Sequence, residues 1–238
     1  CQISLVQLSP QGPLEVSRSI VLSFSMLSPR PTPYGAGWRL SNTEFDLSNS
    51  QLTLLSGERF KTEGMPSVGS KMVLKDRKLE DLVVKRENET TLHVIYLDGT
   101  IEVLQRTSTS LPYRITSIKF ENGEVLTFRY TEGGSLERII NHKQEDLLRL
   151  TYASGSLQTA DTRVDGGRYA RMRFTQSEGL LAGVTAPYDS NGPVGVAAYQ
   201  FTYRKPFANG MVAIARMQLP MGGAERIAYT ENGHQYST

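Results

Sequence analysis

Residues 128–139 read Phe128-Arg129-Tyr130-Thr131-Glu132-Gly133-Gly134-Ser135-Leu136-Glu137-Arg138-Ile139, and this one segment implies most of the architecture. Strand side chains alternate between two faces, so Phe128 and Tyr130 share one face and Arg129 takes the other. Gly133-Gly134 supplies a turn, and Leu136 to Ile139 a returning apolar run. The same signature recurs as Leu150-Thr151-Tyr152, Met172-Arg173-Phe174, Phe201-Thr202-Tyr203 and Ile227-Ala228-Tyr229, with aromatics 22, 22, 29 and 26 residues apart. Gly155 leads to Leu157, Gly179 to Leu180-Leu181, and Asn209-Gly210 to Val212-Ala213-Ile214. Tyr229 opens a further unit and reaches Asn232-Gly233. One hairpin cannot bury its apolar face alone, so such units stack edge to edge. The expected fold is all-β, an extended antiparallel sheet of stacked hairpins that grows with each repeat.

The first half reads as a meander leading into that sheet. Ile3 and Leu5 alternate with polar residues, and Ile20 to Met26 continues the pattern. Pro10, Pro13, Pro29, Pro31 and Pro33 mark strand ends, because proline lacks the N–H a ladder needs. Tyr34-Gly35-Ala36-Gly37 turns into a strand at Trp38-Arg39-Leu40. Leu52 to Leu55 and Glu58 to Lys61 flank Ser56-Gly57; His93 to Leu97 and Thr100 to Leu104 flank Asp98-Gly99. The latter predicts a hairpin with a type I′ turn. Ile115 to Phe120 and Val125 to Phe128 predict another around Asn122-Gly123. Segments 71–84 and 136–150 also fit helical spacing in part, and periodicity leaves them open between helix and strand. The expected organisation is a meander over 1–110 and degenerate hairpin repeats over 111–238, continuing one sheet.

Composition excludes several classes. The chain has 238 residues, 26 Lys and Arg against 24 Asp and Glu, and a net charge of +2, which argues against a polybasic nucleic-acid surface. Arg129, Arg173 and Arg204 fall opposite the aromatics, so base stacking between them is not expected. One cysteine excludes an internal disulfide, and the apolar runs are too short to span a bilayer as a helix. Gln2 to Leu8 lacks the basic start and apolar core of a signal peptide. His93, His142 and His234 lack metal-ligand spacing, and no Cys-x-x-Cys, His-Glu-x-x-His or Gly-x-Ser-x-Gly occurs. Asp161-Thr162-Arg163 lacks the glycine of an aspartic-protease turn and reads as a polar loop. Asp165-Gly166-Gly167 and Met221-Gly222-Gly223 lack a phosphate-loop lysine and read as hairpin turns. No catalytic, cofactor-binding or metal-binding residue is therefore expected, and the chain does not read as an enzyme.

The repeat resembles the RHS/YD-repeat family, to which the B and C components of insecticidal toxin complexes belong. Residues 128–139 carry the closest match, a strand ending in Tyr, a Gly turn and a Leu-x-x-Ile strand, although Tyr130 is followed by Thr rather than Asp. Gly35-Ala36-Gly37-Trp38, Leu52 to Phe60 and Leu97 to Leu104 resemble landmarks of that family in the same order. The resemblance implies one section of a hollow spiral shell that encloses a toxic C-terminal polypeptide for delivery to a target cell. It implies secretion or delivery from a bacterial cytoplasm. The implied partners are the remaining shell repeats, the enclosed toxin and a delivery-apparatus protein, with no nucleic acid and no membrane span. That family's self-cleaving core carries Asp-Pro motifs, and this chain contains none. Trp38, Tyr130, Tyr152, Phe174, Tyr203 and Tyr229 are the expected packing anchors. The rival expectation is a cell-surface adhesin whose exposed strand aromatics hold carbohydrate.

Overall fold

The computed structural model describes residues 1–10, 18–28, 30–75, 81–192, 197–204 and 211–227. Tyr229, His234, Asn209-Gly210, Asn232-Gly233, Pro13 and Pro29 lie outside the described residues. The described residues form twenty strands and a short 3₁₀ turn at Asp165–Gly167. In chain order these are β1 (Gln2–Leu8), β2 (Arg18–Phe24), β3 (Trp38–Leu40), β4 (Glu44–Asp46), β5 (Gln51–Thr53), β6 (Arg59–Lys61) and β7 (Leu82–Asn88). Next come β8 (Thr91–Tyr96), β9 (Ile101–Gln105), β10 (Tyr113–Lys119), β11 (Val125–Tyr130), β12 (Leu136–Ile140), β13 (Asp146–Ala153) and β14 (Ser156–Arg163). The last are β15 (Tyr169–Ser177), β16 (Leu180–Thr185), β17 (Tyr188–Asp189), β18 (Ala198–Arg204), β19 (Ala213–Gln218) and β20 (Ala224–Arg226). The chain is all-β and its registered strand pairs are antiparallel. The helical option for 136–150 is corrected: β12 and β13 occupy it, and β7 begins at Leu82 inside the other segment.

Contacts group the chain into two compact units. One holds Gln2–Ser23 and Leu40–Arg149; the other holds Cys1, Phe24–Arg39 and the residues from Leu150 onward. This grouping is drawn differently from a division at residue 110.

In the first unit, β1 pairs with β2, β4 pairs with β5 and with β10, and β7 to β13 pair each with the next. Its core joins Phe45, Leu52, Met72, Leu92, Leu104 and Tyr113. Each fully buried side chain of this kind contributes about 1.5–3 kcal/mol relative to exposure. In the second unit, β14 pairs with β15, β15 with β16, β16 with β18, and β18 with β19. The short β17 folds back onto the far end of β15 and is bypassed by the β16–β18 pairing. That excursion accounts for the longer 29-residue interval between Phe174 and Tyr203. Tyr130, Tyr152, Phe174 and Tyr203 thus fall on β11, β13, β15 and β18; one returning strand lies in each of the first two intervals, and β16 with the β17 excursion in the third.

Among the described residues, six hairpins close in the same way. In Leu54–Glu58, Tyr96–Thr100, Phe120–Glu124, Thr131–Ser135, Asn141–Glu145 and Leu219–Gly223, the first residue's carbonyl accepts from the fourth N–H. Its own N–H donates to the fifth carbonyl. The fourth residue has positive φ in every case and is glycine in five: Gly57, Gly99, Gly123, Gly134 and Gly222. This three-residue loop corrects the type I′ turn expected at Asp98-Gly99. Asp98 keeps negative φ because its Oδ1 accepts from the Thr100 N–H at 2.8 Å, and Asn122 does the same for Glu124 at 3.0 Å. Two-residue loops with positive φ at both positions occur instead at Ser154-Gly155 and Glu178-Gly179.

A bulge accompanies the hairpins. In β12, β13, β16 and β19 the second or third residue (Glu137, Leu147, Ala182 and Ala215) is left over in the register with the preceding strand. Such an extra residue bends the strand and increases its twist.

The sixth hairpin places Gln144, not glycine, at the left-handed position, with φ 62. A side chain there costs about 1–2 kcal/mol of backbone strain. Gln144→Gly is expected to raise stability by about 0.5–1 kcal/mol after glycine's entropic cost, read as a higher urea midpoint. A lower midpoint would show that this hairpin does not depend on the same turn as the other five.

Candidate functional site

Two places gather unusual chemistry, one in each unit. In the second unit, Trp38 is fully buried and stacks edge-on against Phe201 at 5.1 Å, with Phe24 at 5.5 Å. Its Nε1–H donates to the Tyr203 hydroxyl at 2.9 Å, and that hydroxyl donates to the Leu181 carbonyl at 2.8 Å. Burial pushes the Tyr203 phenol up to about 12, against the smaller downward pull of Trp38, so it stays a donor. The Gly-x-Gly-Trp segment is held by backbone: the Ala36 N–H donates to Gly179 O, and the Pro33 carbonyl accepts from Leu157 N and Gln176 Nε2.

Gly35 explains why this segment needs glycine. Its φ is +99, and a Cβ there would lie 2.6 Å from the Leu181 backbone nitrogen. Trp38 and Tyr203 are therefore brought together. Tyr152 instead meets Tyr34, with hydroxyls 3.4 Å apart, and Phe174 is buried at 5% exposure. Tyr130, in the first unit, donates to the Ile115 carbonyl at 2.7 Å. Tyr229 lies outside the described residues. Arg129 and Arg173 sit on the exposed face, as alternation requires.

Asp161-Thr162-Arg163 is not a loop, which corrects the polar-loop reading. It ends β14, where Asp161 is 4% exposed and faces Arg171 across the strand pair. The Arg171 Nε and Nη2 donate to Asp161 Oδ1 and Oδ2 at 2.6 and 2.8 Å. The fork geometry satisfies both carboxylate oxygens, so the aspartate fixes the β14–β15 register rather than attacking anything.

The second place lies in the first unit. Arg18 at the start of β2 holds its guanidinium 4.5 Å above the Tyr96 ring, donates to Asp98 Oδ2 at 3.0 Å, and lies 3.8 Å from Glu102 Oε1. Glu102 has no exposed surface, and neither of its carboxylate oxygens makes a hydrogen bond of good geometry. Burial raises its pKa. The Thr43 hydroxyl, Arg18 and the Tyr96 hydroxyl pull the other way without prevailing, and Asp98 adds to the rise. Burial also raises the Tyr96 phenol, with the Glu102 charge adding to it. For Asp98, burial opposes ionisation but is outweighed by the Thr100 amide and hydroxyl and by Arg18, so its pKa is lowered. Beside this cluster opens a cleft of about 430 Å³, with Arg18 and Tyr96 in its wall and Val21 and Leu55 among its apolar lining.

This cluster was missed in the sequence. Glu102 and Leu104 share one face of β9 by alternation, and both are buried, which places an acid on a buried face. Ile101 and Val103 make the opposite face apolar too, so alternation marked neither face as the inside. Arg18 lies 80 residues from Asp98 and carries no motif. Among the described residues no group of three or more metal-ligating side chains converges. Neither a protein-family model nor a curated protein matches the chain.

Two outcomes are expected. Gly35→Ala combines strain at positive φ with a backbone clash and should cost about 3 kcal/mol, seen as a lowered urea midpoint. An unchanged midpoint would mean that the Gly35 segment is not docked. Glu102 binds its proton more tightly when folded than when unfolded. Its contribution is therefore fully present below the usual carboxyl value of 4.5 and declines as pH rises through the folded value. Glu102→Gln should remove that decline, so the two proteins' stabilities diverge as pH is raised above 4.5, the variant being the more stable. Parallel pH profiles would place Glu102 as a well-solvated or fully paired carboxylate. Asp98 acts oppositely, its contribution being lost as pH falls below the usual 3.8.

Proposed function

We propose that the chain is a wall section of an RHS-type β-shell that encloses a toxic polypeptide, and that it acts by steric containment without bond chemistry. The observation that carries this reading is the repetition in three dimensions. The same three-residue loop closes six hairpins, a bulge recurs in four returning strands, and an apolar–aromatic pair packs inward on alternate strands. A hairpin unit that repeats in turn, bulge and packing extends by adding copies of itself. A container wall needs that property, whereas a catalytic domain needs convergent side chains at one point. The anchors Trp38 and Phe174 are buried and Tyr130, Tyr152 and Tyr203 half-buried, which favours packing over an exposed aromatic platform for carbohydrate.

In this reading Trp38, Tyr130, Tyr152, Phe174, Tyr203 and Tyr229 are joints of the wall. The partners are further repeats of the same kind, the enclosed polypeptide and a delivery-apparatus protein. The test is what accompanies the chain when it is purified natively, read by intact mass and size-exclusion light scattering, followed by limited proteolysis. A stable assembly containing further polypeptide that resists added protease is expected. A well-behaved monomer with no accompanying polypeptide would overturn the shell reading.

A further inference from the structure

We propose that the cleft beside Arg18 and Tyr96 is a binding site for a short neutral saccharide, independent of the repeat anchors and of the shell reading. Its volume of about 430 Å³ accommodates one or two sugar rings, and lies within the usual range for small-molecule sites. Its lining mixes polar chemistries. Gln2, Ser19 and Ser56 can each donate and accept, Arg18 only donates, and the Glu58 carboxyl group offers acceptor oxygens. A sugar hydroxyl is both donor and acceptor, so adjacent hydroxyls match such a mixture where a simple ion does not. Leu55, Val21 and the body of Tyr96 supply the apolar surface against which ring C–H groups rest.

Charge selects against the other ligand classes. The Arg18 guanidinium is already engaged by Asp98 at 3.0 Å and stacked on Tyr96 at 4.5 Å, so it offers N–H groups more than net charge. Asp98 and Glu58 together outweigh it, which disfavours a phosphate or carboxylate ligand. A cationic ligand would find only Glu58 lining the cleft as a carboxylate, and that group accepts from the Ser56 hydroxyl at 2.9 Å. Fixing Glu58 and Ser56 across the β5–β6 loop sets both groups in place before any ligand arrives, which lowers the ordering cost of binding. Glu102 lies 3.8 Å from the Arg18 guanidinium without lining the cleft itself.

The test is saturation-transfer NMR on the full chain with maltose, cellobiose, N-acetylglucosamine and methyl mannoside at millimolar concentration, with galacturonate and a lysine tripeptide as charged controls. Transfer to at least one neutral sugar is expected, weakened tenfold or more in Glu58→Ala/Ser56→Ala. Both residues are exposed, so that variant should keep the parent's thermal midpoint; Gln2→Ala is a second exposed variant with the same expected direction. Absence of transfer for all four neutral sugars would overturn the proposal. So would stronger binding of either charged control, or neutral-sugar binding that neither variant weakens.

Discussion

Every strand in this protein depends on a neighbour for its backbone. Without α-helices among the described residues, the buried N–H and C=O groups are satisfied mainly across strand pairs. Most strands are therefore followed by one that runs back along them, with β4–β10 and β16–β18 as non-sequential pairings. That requirement explains the short loops, the near-sequential order of pairing and the recurrence of one turn. A loop that closes on three residues fixes the register of the returning strand. Register in turn decides which side chains face inward, because a slip of one residue exchanges the two faces. The glycine at the fourth position of five of these loops is thus a small residue with long reach, since the identity of the buried face depends on it.

The aromatic anchors answer a different requirement. A sheet built from short hairpins gains from side-chain bonds that reinforce its backbone ladder. Tyr130 and Tyr203 supply them by sending a hydroxyl to a carbonyl of the strand each pairs with, 15 and 22 residues back. A phenol does this well because its ring fills apolar space while its hydroxyl satisfies a carbonyl that would otherwise compete for water. Phe174 fills the same face without that handle, and is more deeply buried. The repeat therefore conserves a shape and a direction rather than a single residue type.

How far the sequence could be read follows from the range of the interactions. The hairpins around Asp98-Gly99 and Asn122-Gly123 were legible because strand, turn and return lie within a few residues. Their turn type was not, because it rests on whether Asp98 bonds its own Thr100 or bends into positive φ. The 29-residue interval looked like imperfect repetition and is instead a β17 excursion outside an intact unit. The aspartate in Asp161-Thr162-Arg163 read as loop because its neighbours are polar, yet Arg171 on the adjacent strand makes its burial possible. The turn type was missed through a bond two residues away, whereas the excursion and the buried aspartate depend on partners on another strand.

The Arg18–Glu102 cluster shows why an all-β chain of this kind hides its polar sites. On a half-exposed sheet, alternation separates inward from outward residues, and an acid in the inward set stands out. Strand β9 has apolar residues on both faces, so an acid there looks like ordinary variation. What marks Glu102 as unusual is its environment: it is fully buried, its oxygens lack well-formed bonds, and the Arg18 guanidinium 3.8 Å away is shared with Asp98. A stably folded sheet would gain from an apolar residue at such a position, because a buried carboxyl without good partners costs several kcal/mol. It lies 3.8 Å from the Arg18 guanidinium that lines the neighbouring cleft, and stability does not account for it there. Packing accounts for the repeat aromatics in full, whereas packing alone leaves Glu102 without a reason, and that difference separates the scaffold of this protein from its candidate site.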